Sequence, residues 1–278
     1  MKVFAIGDLH LSGNPPTKPM DIFGPHWDNH WSRIKEHWAN NVTDDDIVFL
    51  VGDMSWALRL DEAACDLQEI ASMPGKKYMI RGNHDYWWAS ANKMRNLIGD
   101  AITFLQGHGT AELIQTEEGP RIIAFGGTRA YLCPGDSHFS PETDQSIYER
   151  ELMRTEAALQ EMDAAVQTLL EKLTAEAKVN TTVSDMADTL DSNKTYLSAI
   201  DIHNIPVVKL LLLHYPPFNE SNAPSGFTDL MEQYKVDTCI FGHLHDQISF
   251  KRIPKEFGST KLELVSADYL DFTLKQII

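Results

Sequence analysis

The sequence contains few cysteines and no long apolar run. Its only three cysteines, Cys65, Cys133 and Cys239, lie far apart in a chain of 278 residues. An odd and scattered set does not fit a disulfide framework and favours a reducing compartment. No apolar stretch approaches the roughly twenty residues of a membrane span, and the first apolar run, residues 3–6, is too short for a signal peptide. We therefore expect a soluble, cytoplasmic protein with no membrane partner.

Basic residues are also scarce in this chain. Lys and Arg total 24 against 40 Asp and Glu, which gives a formal charge of −16, and no run of Lys or Arg occurs. Tight nucleic-acid binding draws on clustered basic side chains. Nucleic acid is therefore not an expected partner. The apolar fraction of 43% is ordinary and is sufficient for a full core.

Polar residues follow short apolar runs at five places in the chain. Asn83, His84 and Asp85 come directly after residues 77–80, which predict a buried strand. Such a group could be an ordinary turn, but an α/β sheet also places its chemistry at the ends of its strands. Four further stretches repeat the pattern: Gly7-Asp8-Leu9-His10, Gly52-Asp53, Leu213-His214 and Gly242-His243-Leu244-His245.

The order of predicted elements indicates an α/β fold. Strands and helices alternate in the first half and strands dominate the end, which favours two sheets packed face to face with helices outside. We predict one domain, 1–278, with a helical insertion at about 141–205. Its polar end, residues 179–204, could be a lid, a helical hairpin or a docking element. The late strands are predicted at 238–241, 247–252, 262–266 and 272–277.

The polar residues at the strand ends form a candidate metal site. They supply carboxylate oxygens, an amide oxygen and imidazole nitrogens without a thiolate, which suits Mn²⁺, Fe or Zn²⁺. These candidate ligands are more numerous than the four that one tetrahedral Zn²⁺ binds. Two ions about 3.5–4 Å apart can hold a shared hydroxide and clamp a phosphoryl oxygen for in-line displacement. The candidate ligands are Asp8, His10, Asp53, Asn83, His214, His243 and His245.

The order of these motifs, Asp-x-His, Gly-Asp, Gly-Asn-His-Asp, His and Gly-His-x-His, resembles the calcineurin-like metallophosphoesterase superfamily. The resemblance implies a four-layer α/β/β/α sandwich with two mixed β-sheets and two divalent metal ions. It implies that one ion is held by Asp8, His10, Asp53 and His245, and the other by Asp53, Asn83, His214 and His243, so that Asp53 bridges. It also implies that His84 stabilises charge on the phosphate or protonates the leaving oxygen, and that Asp85 orients His84.

Departures from relatives narrow the expected substrate. Gly52-Asp53 is followed by Met54-Ser55-Trp56 and the later turn carries Asp85, which is unlike the protein phosphatases of the superfamily. The bacterial-type phosphohydrolase and phosphodiesterase branch is favoured, acting on a small phosphorylated molecule, monoester or diester, with Mn²⁺ expected first. The alternatives are a non-catalytic metal-binding scaffold that docks through 179–204, and a nuclease, which the acidic charge disfavours.

Three residues are candidate substrate contacts. Arg129 follows Gly126-Gly127 at a strand end and could be a surface arginine or a phosphate contact. Trp87 is equally compatible with the core and with the wall of a cleft. Tyr215 comes directly after His214. The helical insertion also offers a surface through which copies of the chain could form a homo-oligomer.

Overall fold

The computed structural model describes residues 1–184 and 202–278, and it shows a mixed α/β fold with two mixed sheets and helices outside them. This confirms the fold class. The strands are β1 (Val3–Ile6), β2 (Ile47–Val51), β3 (Lys76–Ile80), β4 (Ile102–Phe104), β5 (His108–Thr116), β6 (Gly119–Thr128), β7 (Val207–Leu213), β8 (Thr238–Phe241), β9 (Glu256–Phe257), β10 (Thr260–Leu264) and β11 (Lys275–Gln276). The described helices are α1 (His30–Asn41), α2 (Leu60–Ser72), α3 (Ala91–Ile98), α4 (Pro141–Ser184), α5 (Gly226–Gln233) and α6 (Gln247–Arg252).

The two sheets are parallel in their centres and antiparallel at an edge. The first has the order β11-β1-β2-β3-β4, with β1 to β4 parallel and β11 antiparallel to β1. The second has the order β5-β6-β7-β8-β10-β9, with β6, β7, β8 and β10 parallel. Parallel strands bring their carboxyl ends to one edge of a sheet. The motifs that follow β1, β2 and β3 therefore meet along one edge of the first sheet, and those after β7 and β8 along one edge of the second.

Three apolar clusters separate the four layers. Side chains alternate along each strand, so that Ile47, Phe49 and Val51 of β2 face the second sheet while Val48 and Leu50 face the helices. The second sheet has the same arrangement, with alternate residues in the cluster between the sheets and in the cluster under α4 and α5. Burial on both faces explains why the central strands are continuous apolar runs.

Helix α4 lies within the predicted helical insertion, extends past residue 179 into its polar end, and packs against β5 and β6. Ala158, Leu159 and Met162 bury its inner face. Gly109 of β5 allows the close approach, because a Cβ there would overlap the carbonyl oxygen of Ala158. Most of the expected docking segment, 179–204, lies outside the described residues. No helix in the described part of the chain is both long and apolar enough to cross a membrane.

Two predicted strands near the end of the chain are wrong. Residues 247–252 form helix α6, because the carboxylate of Asp246 accepts hydrogen bonds from the backbone N–H groups of Ile248 and Ser249 and so caps a helix. The predicted strand 272–277 is reduced to β11, since Asp271 and Phe272 have positive φ angles of 49° and 59° that no strand accommodates. Capping and turn geometry outweighed the apolar pattern in both segments.

The contact between the sheets depends on aromatic packing. The rings of Phe49 and Phe125, one from each sheet, have centroids 5.0 Å apart, and both side chains are fully buried. We expect Phe49→Ala to lower the free energy of unfolding by about 3–5 kcal/mol, because it leaves a cavity between the sheets. Urea unfolding measures this change, with the exposed Ile248→Ala as the control. A loss no larger than that of the control would contradict the assigned role.

Candidate metal centre

The polar motifs after β1, β2, β3, β7 and β8 converge on one site. Four of the seven predicted ligands have left-handed backbone conformations, with φ of 60° at Asp8, 50° at His10, 57° at Asp53 and 73° at His243. Non-glycine residues adopt this conformation at a cost in energy, and such residues cluster at functional sites. The backbone turns sharply at these positions and directs the side chains toward a common point.

The first predicted ligand set lies around the carboxylate of Asp8. His245 Nε2 lies 3.3 Å from Asp8 Oδ1, and His10 Nε2 lies 4.0 Å from the same oxygen. The Nε2 atoms of His10 and His245 are 3.4 Å apart. These three side chains present one ligand atom each within 4.8 Å of one another, which is the spacing of a metal site.

The second predicted set gathers around Asn83. Its Oδ1 lies 2.7 Å from His214 Nε2 and 2.8 Å from His243 Nδ1. Asp53 Oδ2 lies 3.4 Å from His214 Nε2 and 4.0 Å from His10 Nε2, between the two sets, where a bridging ligand is needed. Asp8 lies close to the second set as well as the first, because Asp8, Asp53 and His214 also present ligand atoms within 4.8 Å of one another.

Two of the imidazoles are oriented by groups outside the predicted set. His214 Nδ1 lies 2.9 Å from the carbonyl oxygen of Val51, and His245 Nδ1 lies 2.9 Å from Asp268 Oδ1. A partner at Nδ1 fixes the tautomer and leaves Nε2 as the ligand atom. Sequence reasoning missed Asp268. The available signal was a carboxylate two residues beyond the predicted strand 262–266, which is the same pattern that marks the other ligands.

Glycine is required where the loops after β2 and β3 touch. A Cβ at Gly82 would overlap the carboxylate of Asp53. The backbone N–H of His84 donates to Asp53 Oδ1 at 2.7 Å and fixes that carboxylate from the other side. The Gly82-Asn83-His84 turn therefore positions Asp53 as well as presenting its own side chains.

The site concentrates negative charge that needs compensation. Burial raises the pKa of Asp8 and Asp53, but the neighbouring imidazoles of His245 and His214 lower both to below the usual range. Burial lowers the pKa of these two histidines, and the carboxylates raise them to about 9 for His214 and about 10 for His245. Two buried, facing carboxylates require positive charge nearby, and either protons on these imidazoles or bound cations supply it.

The other two imidazoles of the set are neutral at physiological pH. Burial lowers the pKa of His10 to about 4 and that of His243, with a contribution from the charge of His214, to about 3. Neutral imidazole is the form that binds metals. A donor set of two carboxylates, one amide oxygen and four imidazoles therefore fits two divalent cations, both in chemistry and in the grouping of its atoms.

His84 extends from the same loop into the open part of the site. Its ring lies 4.4 Å from the indole of Trp56 and 5.8 Å from the ring of His10, measured between centroids. In the described part of the chain its imidazole nitrogens have no hydrogen-bond partner. Burial lowers the pKa of His84, so the ring is largely neutral at pH 7 and offers one N–H donor to a ligand.

Asp85 does not orient His84, and that prediction is wrong. Its buried carboxylate accepts bonds from five donors: the backbone N–H groups of Asp53, Met54, Ser55 and Gly82, and the indole of Trp87. Burial and the charge of Asp53 raise the pKa of Asp85 to about 6, which leaves it ionised at neutral pH. Asp85 therefore joins the loops after β2 and β3 instead of acting on substrate.

Two of the three candidate substrate contacts lie apart from the donor atoms. Trp87 is 2% exposed, packs in the core and donates to Asp85, so the prediction that it walls a cleft is wrong. Arg129 lies over the ring of Tyr131, 5.5 Å from its centroid. Tyr215 is closer, with its ring 4.0 Å from that of His243, and both border a cavity of about 500 Å³.

A cavity of about 420 Å³ opens directly onto the metal-ligand residues. His10, Asp53, His84, His243 and His245 line its polar side. The apolar side was not predicted and consists of Met20, Phe23, Trp27 and Trp56.

Aromatic side chains pack against the imidazole of His10 from two directions. The ring centroid of Trp56 lies 4.7 Å from that of His10 in a stacked arrangement, and the ring centroid of Trp27 lies 6.3 Å from it. His26 also lines the cavity, whereas the ring of His30, four residues later, is hydrogen-bonded to the carbonyl oxygen of Leu9 at 3.0 Å.

We expect Asp85→Asn to destabilise the protein and to weaken metal binding together. An amide cannot accept bonds from all five donors, and a buried donor left unpaired costs about 1–3 kcal/mol. Urea unfolding and metal content after dialysis measure the two effects. Asp100→Asn, at a side chain that is 91% exposed, is the matched control and should change neither. Unaltered stability and metal content in Asp85→Asn would contradict its role in joining the loops.

Solved structures similar to this one share little sequence with it. The protein of unknown function AQ665 from Aquifex aeolicus is 11% identical with a TM-score of 0.45, and the match covers 99% of this chain and 95% of that one. GAP50, the anchor in the inner membrane complex of Plasmodium, is 12% identical with a TM-score of 0.46, covering 96% and 72%. TT1561 of Thermus thermophilus is 9% identical with a TM-score of 0.41, covering 99% and 96%.

Sequence comparison is more informative. Gene 66 protein of Mycobacterium phage D29 is 33% identical over 86 residues, which are 30% of this chain and 40% of that protein, so less than half of that relative is matched. The sequence model of the family described as calcineurin-like phosphoesterase matches residues 1–247, a range that includes every predicted ligand. The resemblance seen in the motifs is thereby confirmed, and the chain belongs to the calcineurin-like phosphoesterase family.

Proposed function

We propose that the protein is a metal-dependent phosphohydrolase that cleaves a phosphoester of a small molecule. The observation that supports this most directly is the convergence of two donor sets with the unpaired imidazole of His84 beside them. Carboxylates, imidazoles and an amide gathered in this way bind cations. A free imidazole at the open side of such a site can act on a ligand that the cations hold.

Two divalent ions bound here would polarise a phosphoryl oxygen and supply a hydroxide nucleophile at neutral pH. Asp8, His10, Asp53 and His245 would hold one of them, and Asp53, Asn83, His214 and His243 the other. Mn²⁺ is the first candidate, since oxygen and imidazole donors without a thiolate suit it, and Fe and Zn²⁺ are the alternatives. The fixed tautomers of His214 and His245 keep their Nε2 atoms available for this purpose.

His84 is the proposed catalytic residue of the chain itself. It lines the cavity beside Asp53 and His10, and its neutral ring can donate a hydrogen bond to a phosphoryl oxygen as charge builds on it. Trp56 packs against the ring and limits its rotation, with centroids 4.4 Å apart. Asp85 serves as a positioning residue, because it holds the backbone on both sides of Asp53.

The surroundings of the centre favour a small substrate. The cavity of about 420 Å³ has room for a small phosphoester but not for a folded protein segment. Its walls combine imidazoles with the apolar surfaces of Trp27 and Phe23, which can pack against an organic group on the phosphate. Monoesters and diesters both fit these features, so the proposal covers both classes.

We further propose that the enzyme works in the cytoplasm. All three cysteines are free, and Cys133 and Cys239 are buried where burial raises the pKa of their thiols, to about 12 for Cys133. Unpaired and unreactive thiols are typical of proteins from reducing compartments.

Removal and return of metal test the proposed function. Protein treated with a chelator should lose turnover of 4-nitrophenyl phosphate and bis(4-nitrophenyl) phosphate, and should recover it with Mn²⁺. Parallel additions of Fe²⁺ and Zn²⁺ rank the ions, and comparison of the two esters separates monoesterase from diesterase activity. Absence of turnover with every metal and both esters would count against a phosphohydrolase and favour a metal-binding scaffold.

We expect His84→Ala to keep its metal and to lose most of its activity. Removal of one acid or one donor to a developing oxyanion lowers turnover by about a hundredfold or more. Turnover of the better ester and metal content by elemental analysis give the two readouts. His108→Ala changes a histidine that lies on β5 and is exposed, so it serves as the control. A His84→Ala variant with normal turnover would remove this residue from the mechanism.

A further inference from the structure

Four arginines lie on α4 and directly after the ends of β3 and β6, in a chain that is otherwise acidic. Arg81 follows β3 and is two residues from Asn83, and Arg129 follows β6 directly. Arg150 and Arg154 lie one turn apart on α4. We call these four residues the arginine cluster. A local excess of positive charge is unexpected in a protein with a formal charge of −16, which makes its position informative.

A chain of buried hydrogen bonds brings the cluster together. Gln106 accepts a bond from the backbone N–H of Arg81 at 3.2 Å and donates to Thr128 Oγ1 at 2.7 Å. Thr128 in turn donates to the fully buried carboxylate of Glu151 on α4. The end of β3, the end of β6 and the first part of α4 are thus connected through side chains, and the four guanidiniums extend from these three elements.

The carboxylates nearby do not neutralise the cluster. Glu151 pairs with Arg154 at 2.6 Å and lies 3.7 Å from Arg150, so one buried charge serves two arginines. Arg81 and Arg129 have no ion pair with any carboxylate in the described part of the chain. The Nε–H of Arg81 donates a hydrogen bond to the backbone carbonyl oxygen of Asp85 at 3.2 Å, so this guanidinium is held beside the loop after β3.

Asp144 is the acidic side chain that lies beside Tyr131. It accepts a hydrogen bond from the hydroxyl of Tyr131 at 3.0 Å and from the backbone N–H of Ser140 at 2.8 Å. These bonds hold it at the start of α4, and among the described residues it forms no ion pair with Arg129.

Two tyrosines connect the arginine cluster with the metal centre. The ring of Tyr215 lies 4.0 Å from that of His243, and the ring of Tyr131 lies 5.6 Å from that of Tyr215. Arg129 lies over Tyr131 at 5.5 Å from the ring centroid. The backbone N–H of Tyr215 also donates to the carbonyl oxygen of Arg129 at 3.0 Å, which joins the two loops. A ligand held at the metals can therefore extend over the tyrosines toward Arg129.

We propose that the arginine cluster binds a second phosphate of the substrate, so that the enzyme acts on small molecules with two phosphate groups separated by a spacer. The scissile phosphate occupies the metal centre, the spacer crosses Tyr215 and Tyr131, and the distal phosphate pairs with Arg129. Guanidinium groups bind phosphate through paired N–H donors. This inference rests on the proposed function and adds a substrate class to it.

Anchoring of α4 explains only part of the arginine cluster. Arg150 and Arg154 compensate the buried charge of Glu151, which is a structural role. That role does not require Arg129, which makes no ion pair in the described residues and lies over the ring of Tyr131. A guanidinium without a carboxylate partner can bind a phosphate through its paired N–H donors.

The turnover test compares two substrates that differ by one phosphate. Adenosine 3′,5′-bisphosphate and adenosine 5′-monophosphate serve as the pair, with Mn²⁺-loaded full-length protein. We expect kcat/KM to be at least about tenfold higher for the bisphosphate, since loss of one charge-assisted pair has this effect. Arg129→Gln should remove the preference for the bisphosphate, and Arg129→Lys should keep part of it. Arg95 is exposed and paired with Asp100, so Arg95→Gln is the control and should keep the full preference.

A binding measurement separates this inference from the proposed function. Calorimetric titration of adenosine 3′,5′-bisphosphate into the full-length chain after chelation reports the arginine cluster without turnover. Binding that is about tenfold weaker in Arg129→Gln than in wild type supports the distal phosphate site. If such a difference is found and no phosphoester is hydrolysed, the distal site stands and only the proposed function fails. Equal binding by wild type and Arg129→Gln, or equal kcat/KM for the two nucleotides in wild type, overturns the distal phosphate site. Thermal melting of each variant verifies that it is folded.

Discussion

The centre depends on one buried carboxylate that binds no substrate. Asp85 accepts five hydrogen bonds and thereby joins the loop after β2 to the loop after β3. Asp53 and Asn83, which belong to those loops, are placed relative to one another by this single group. The carboxylate is ionised and enclosed, so its bonds are charge-assisted and strong. The arrangement of the predicted metal ligands in these two loops therefore depends on the hydrogen bonds that Asp85 accepts behind them.

The two packed sheets offset the free energy that the site costs the folded state. Left-handed backbone at Asp8, His10 and Asp53 and facing carboxylates both raise the energy of the folded state. Two sheets buried on both faces supply the opposing stabilisation, since their strands are covered by helices outside and by each other inside. The left-handed backbone at the strand ends is tolerated because the strands that precede it are fixed by packing on both faces.

Charge is distributed unevenly around this frame. The protein as a whole is acidic, yet four arginines lie on α4 and directly after β3 and β6, and two of them make no ion pair among the described residues. Glu151 and α4 hold the arginine cluster in place, which gives the long helix a part in shaping the site as well as in covering the second sheet.

The order of the motifs was enough to identify the family and its two-sheet fold. The candidate ligands could be found because each directly follows an apolar strand and parallel strands bring their ends together. The sequence by itself did not determine what Asp85, Trp87 and residues 247–252 do, since local pattern says nothing about which backbone donors surround a carboxylate or where a cap begins a helix. Packing in three dimensions brought Asp268 to His245, Trp56 to His84 and Thr128 to Glu151. These pairs are distant in sequence, and the packing of the two sheets and α4 decides their contact.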